Sequence, residues 1–255
     1  MSSGTTFDPF AMMGFTGYID PATGRPDQYH SLAHFVYSEL AGVDEQYRRY
    51  LLQMVDPELF RLEVDGVGIT GHGTDDWSEA VQQLLYAGIF MQALSNRGHF
   101  SELLGNADRL TVASCAFSQD AAVAMGKFIG DLRLPQGKLK VLFLGDCRDT
   151  KYVDDCLGVI FGKRAPQCLL ALEDDGCSGA VSDFARKTLA PFSLLSSSLS
   201  DEAVVEAIRI RCTHVFNFQG GQPGEHTVRL LDQLNAAGVQ VSPICLLYTS
   251  PSPRD

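Results

Sequence analysis

Long apolar runs are missing from this 255-residue chain. None approaches the roughly 18 residues of a membrane-spanning helix, so no membrane partner is expected. The amino terminus, MSSGTTFDPFAMMGF, lacks a basic stretch followed by a long apolar core, and no secretory signal is expected there. No two cysteines form a C-x-x-C pair, although seven stand at 115, 147, 156, 168, 177, 212 and 245. A thiolate zinc site therefore lacks its usual spacing, and neither a metal site nor a cofactor is assigned. Scattered, odd-numbered cysteines in apolar runs read as reduced small hydrophobes, which favours a reducing, cytoplasmic compartment. Basic residues are scarce: 20 Lys plus Arg against 31 Asp plus Glu give a net charge of −11. Such a chain suits nucleic-acid backbone binding poorly, but a small anion feels local donors rather than net charge. Hydrophobic residues make up 45%, enough for one large domain or two modest ones.

From about residue 139 the pattern becomes regular. Apolar runs suited to strands at 139–144, 167–172, 192–195, 213–218 and 239–243 alternate with helix-like stretches at 150–161, 178–190, 200–210 and 224–237. Apolar strands alternating with amphipathic helices imply a mostly parallel sheet covered on both faces. Gly238 is placed to end the last helix. The earlier part is irregular and α-rich, with little sheet expected. Helices are expected at 31–40, with Ser31 as cap, at about 44–54, briefly from Asp56-Pro57, over Trp77–Ser95 and over Gln119–Leu132. A further turn is read at 100–104, a loop over Gly66–Asp76, and turns at Asp20–Gly24. The fold class is thus α/β: an α-rich domain over 1–134, a linker near Pro135, and a parallel-sheet domain over 138–245. Leu246–Asp255, LLYTSPSPRD, breaks the pattern and resembles a translated sequencing-adapter read-through, so 246–255 is expected to be a non-native tail. A natural Pro-rich tail is the alternative.

Three loops follow apolar strands in the second domain. The first carries Gly145, Arg148 and Asp149; the second Gly176, Ser178 and Gly179, leading to Asp183; the third Gly220, Gly221 and Gly224, leading to Glu225, His226 and Thr227. Parallel strands put such loops on one rim, where open α/β sheets bind ligands. Glycines allow close backbone approach, and N–H groups at a helix start can receive phosphate. Arg148 could pair with that phosphate or orient Asp149, and Asp183 could bond a ribose hydroxyl or the opposing loop. For each isolated polar residue, capping or solvation is the competing reading.

Residues 139–243 resemble the SLOG family, a Rossmann-like group related to cytokinin-activating phosphoribohydrolases and to the DNA-uptake protein DprA. The matching positions are Gly145, Arg148 and Asp149, then Gly176, Gly179 and Asp183, and finally Gly220, Gly221, Gly224 and Thr227. The resemblance implies a nucleotide pocket and, since related folds pair with themselves, a homo-oligomer. Gln219 replaces the familiar proline, and Asp174-Asp175 stands where small residues are common; a charge there would disfavour phosphate if it faced the pocket.

In the first domain, Tyr29, Ser31, His34, Phe35 and Tyr37 form a dense polar-aromatic cluster. His30 and His34, four apart, could share a helix face, but no third metal ligand stands near them, and a hydrogen-bonded core histidine is the preferred reading. With Trp77, Tyr86, Asn96, Leu103, Leu104 and Asn106, and the helix around Met125–Arg133, this order of features resembles the NADAR family. That α-rich fold is linked to N-glycosidic cleavage of ADP-ribose and riboflavin-pathway compounds. Ala33 occupies the place of the family's glutamate, and alanine cannot assist proton transfer.

Both resemblances imply a small phosphorylated nucleotide ligand related to ADP-ribose or NAD. The leading expectation is binding, with N-glycosidic hydrolysis as a further step; there His34 would orient a ribose hydroxyl or leaving base, and Asp120 would position water, with Asp75 and Glu39 as other carboxylates. The alternatives are a non-catalytic nucleotide sensor, which Ala33 favours, and a nucleoside-monophosphate phosphoribohydrolase with Glu225 and Arg148 near the sugar.

Overall fold

The computed structural model describes residues 5–67, 77–133, 140–161, 168–173, 175–196, 198–219 and 225–245. Gly220, Gly221, Gly224, Asp174, Asp75 and the tail 246–255 lie outside them. The chain divides into two compact units, Met1–Gly137 with Thr188–Phe192, and Lys138–Lys187 with Ser193–Asp255. No helix among the described residues is long and apolar enough to cross a membrane.

The first unit opens with strands β1 (Thr6–Phe7), β2 (Phe15–Ile19) and β3 (Pro26–Tyr29). β2 and β3 form an antiparallel hairpin through the expected turn, where Asp20 Oδ1 accepts from Ala22 N–H and Gly24 takes a φ of +68°. The sequence shows the turn but not its flanks, because β3 is the polar tetrapeptide PDQY. Helices α1 (Leu32–Leu40), α2 (Glu45–Leu52), α3 (Pro57–Val67), α4 (Trp77–Ser95) and α5 (Arg97–Gly105) follow. Strand β4 (Thr111–Val112) then pairs with β1 in parallel, and α6 (Ser118–Arg133) closes the unit. Ser31 caps α1 as expected, its Oγ accepting from His34 N–H at 3.1 Å. The core lies between α1, α4 and α6, with Leu32, Phe35, Leu85, Ile89, Ala124 and Phe128 buried.

The second unit runs β5 (Lys140–Leu144), α7 (Thr150–Phe161), β6 (Cys168–Leu172), α8 (Ser178–Lys187), β7 (Phe192–Leu195), α9 (Asp201–Arg211), β8 (His214–Gln219), α10 (Glu225–Ala236) and β9 (Val241–Cys245). The sheet order is β7-β6-β5-β8-β9, and β5 pairs in parallel with both β6 and β8, as β8 does with β9. This is a Rossmann-like topology. Right-handed crossovers place α7 and α8 on one face and α9 and α10 on the other. Each pair of helices is in contact. Every residue of β6 is buried, as continuous apolar parallel strands require.

Among the boundaries that differ from the sequence reading are those of α8 and β9. α8 stops at Lys187, before a turn in which Leu189 adopts a φ of +52°. β9 begins two residues late because Val239 N–H still bonds Leu234 O, closing α10 around Gly238 at a φ of +74°.

Candidate functional site

In the second unit the chain steps outward from β5 through β6 to β7, then returns to β8 on the other side of β5. The connections after β5 and β8 therefore leave in opposite directions, and open parallel sheets take ligands at the carboxyl edge of such a reversal. Residues 145–149 follow β5 there, Asp175–Cys177 precede α8, and α10 follows β8. The glycine loop of the third expected segment lies outside the described residues.

A buried carboxylate ties these segments together. Asp175, only 8% exposed, accepts from Gly145 N–H through Oδ2 at 2.8 Å and from Gly176 N–H through Oδ1 at 2.9 Å. Thr227 Oγ1, from the first turn of α10, donates to the same Oδ1 at 3.4 Å. Cys177 N–H donates back to Gly145 O at 2.9 Å. Burial pushes the Asp175 carboxyl up to about 6; the hydrogen bonds from Gly145, Gly176 and Thr227 oppose that shift, and neighbouring Asp146 adds to it. The sequence reading treats this acid only as a charge that would repel phosphate. Gly176 is its chain neighbour, but nothing local signals Gly145 and Thr227, which come from separate segments.

The expected ligand groups are distributed differently from their sequence roles. The Gly145 and Gly176 N–H groups, expected to face a ligand, are both taken by Asp175. Gly145 has a φ of +111°, and a Cβ there would lie 2.5 Å from Phe218 O, so this glycine serves the close approach of β5 to β8. Asp149 caps α7, its Oδ1 accepting from Tyr152 N–H at 3.1 Å. Arg148 is 82% exposed and pairs with Asp146 at 3.3 Å. Ser178 is buried and its N–H bonds Asp175 O, while Gly179 faces open space. Asp183 pairs with Lys187 at 3.3 Å, and Lys187 also binds Asp154 of α7 at 2.8 Å. The Asp183 carboxylate therefore stands along the α7–α8 seam. Glu225 is exposed at the first residue of α10, and neighbouring His226 Nε2 meets Asp201 Oδ1 of α9 at 3.2 Å.

In the first unit, His34 is 2% exposed and both ring nitrogens are engaged by backbone. Nδ1 accepts from His30 N–H at 3.1 Å, which makes Nε2 the protonated nitrogen, donating to Leu51 O at 2.8 Å. His34 thus joins the start of α1 to the end of α2 and has no nitrogen left for a ribose or leaving base. Asp120 accepts from Gln82 Nε2 at 2.8 Å across the α4–α6 seam. The dominant polar cluster of this unit is one the sequence reading misses. Buried Arg48 bonds Asp27 and, at 3.2 Å, Glu39, which also accepts from Tyr29 O–H at 2.6 Å. Of these, only Glu39 figures among the expected carboxylates.

Burial pushes the His34 imidazole down from 6.5 to about 4, against the bond to Leu51. The folded chain then holds fewer protons than the unfolded chain between those values, so this contribution is complete above 6.5 and is lost as pH falls through 4. Urea unfolding should show the wild type losing about 2 kcal/mol more than His34→Gln between about pH 8 and pH 5. Parallel losses in both proteins would show that His34 does not titrate this way.

Compared with known proteins, the chain matches no family model, no curated protein and no solved structure.

Proposed function

We propose that the chain binds a small phosphorylated nucleotide related to ADP-ribose or NAD at the carboxyl edge of its parallel sheet, without turning it over. The strand reversal between β5 and β8 carries this reading, because open parallel sheets take ligands where that reversal parts the loops. The resemblance of residues 139–243 to the SLOG family supports the same ligand class, with Gly220, Gly221 and Gly224 expected at its phosphates. Two observations favour binding over hydrolysis. Ala33 is fully buried where the NADAR resemblance implies a glutamate, and both His34 nitrogens are bonded to backbone.

The test is incubation with ADP-ribose, NAD and nucleoside monophosphates, read by chromatography for products and by thermal unfolding for binding. Ligand at about a hundred times its dissociation constant should stabilise the chain by about 2.7 kcal/mol, with no product. Gly221→Asp should abolish that stabilisation and leave the unliganded fold intact. Free base or ribose phosphate in the product trace would replace the sensor reading with catalysis; retained stabilisation in Gly221→Asp would remove that loop from the site.

A further inference from the structure

The corner where β5, the segment after β6 and the start of α10 meet is rich in acceptors and short of donors. Asp175 brings two carboxylate oxygens, and they occupy Gly145 N–H, Gly176 N–H and Thr227 Oγ1. Asn217, on β8 in register with Leu144, leaves Oδ1 buried without a hydrogen-bond partner among the described residues. That oxygen lies 3.0 Å from where a side chain on Gly145 would begin. Asp146 adds negative charge beside Asp175. A phosphate accepts hydrogen bonds and donates none when ionised, so it competes for the same donors that Asp175 already holds.

From this geometry we propose that Asp175 is an internal competitor for the ligand's phosphate: its carboxylate stands in the anion's place, and the nucleotide gains the Gly145, Gly176 and Thr227 donors only when that carboxylate is neutralised or withdrawn. The inference rests on the nucleotide-binding reading above and adds how that site is regulated. Protonation is one route to neutralisation, since burial raises the Asp175 carboxyl to about 6. The groups facing Asp175 are Asp146 and Cys177 from the adjoining loops, with Cys147 acting on Cys177, and Thr227 from α10. Burial raises both thiols, so they stay neutral through the same range. His226 lies beside Thr227, and its Nε2 meets Asp201 Oδ1 of α9.

ADP-ribose is the suitable probe, because the pyrophosphate diester keeps its charge across this range. Its affinity would be measured by calorimetry at about pH 8 and about pH 5.5, on either side of the raised carboxyl, for the wild type, Asp175→Asn, Asp175→Ser and His226→Gln. The wild type and His226→Gln should bind about tenfold tighter at the lower pH. Asp175→Asn and Asp175→Ser should bind at least that tightly at both. Urea unfolding of each variant checks that it folds, and the wild-type pH dependence stands even if one does not. Equal or weaker binding by folded Asp175 variants at pH 8, or a pH effect that vanishes in His226→Gln, would overturn the proposal while leaving nucleotide binding in place. An absence of binding by all four proteins at both pH values would instead overturn the nucleotide reading, and the proposal with it.

Discussion

Arg48→Met is expected to cost the amino-terminal unit about 3–5 kcal/mol, the range seen when one partner of a buried ion pair is removed. Arg48 keeps 4% of its side-chain surface exposed, and its partners Asp27 and Glu39 keep 10% and 4%. Burial opposes the guanidinium charge, but Glu39, Tyr29 and Asp27 together hold its proton well above the ordinary value. Methionine fills the space without the charge. Two carboxylates would then remain in a low-dielectric interior without the cation they share. A domain is stable by only about 5–15 kcal/mol, so this loss is a large share. Urea unfolding, with amide exchange over residues 27–48 as the local readout, measures it. Adding Glu39→Gln to Arg48→Met should recover part of the loss, since one stranded charge disappears. A single-variant cost below about 1 kcal/mol would mean that these carboxylates are solvated, as surface pairs are.

Gly145→Ala is the second large effect, with an expected cost of about 3–5 kcal/mol to the carboxyl-terminal unit. Two penalties combine there. The φ of +111° disfavours any side chain, and the added Cβ would lie 2.5 Å from Phe218 O, a backbone atom fixed by the pairing of β8 with β9. Relief requires β5 to draw away from β8, which also strains the Gly145 N–H bond to Asp175. Gly179→Ala should behave oppositely, raising stability by roughly 0.4–1 kcal/mol, because its Cβ would meet open space in the first turn of α8. Denaturant midpoints of the two variants decide the point. Similar small shifts in both would show that the Gly145 contact yields easily.

These two glycines show how far the sequence could be read. Both were legible as members of strand-to-helix turns, since glycine after an apolar run marks such a place. Which one is fixed by a neighbouring strand was not legible, because Phe218 approaches from more than seventy residues away. His34 follows the same division. Its place on a capped helix was readable from Ser31, whereas the Leu51 carbonyl that claims Nε2 comes from the next helix.

The amino-acid order alone determined the alternation of apolar strands and amphipathic helices, and with it a parallel sheet whose loops share a rim. Those features follow from local periodicity and backbone freedom, which a short window of residues contains. Only the tertiary structure decided that Asp175 closes on Gly145 and Thr227, and that Arg48 gathers Asp27 and Glu39. Strand register and helix packing bring these distant groups together. The burial that results sets the cost of their charges, and neither quantity is carried by any one segment.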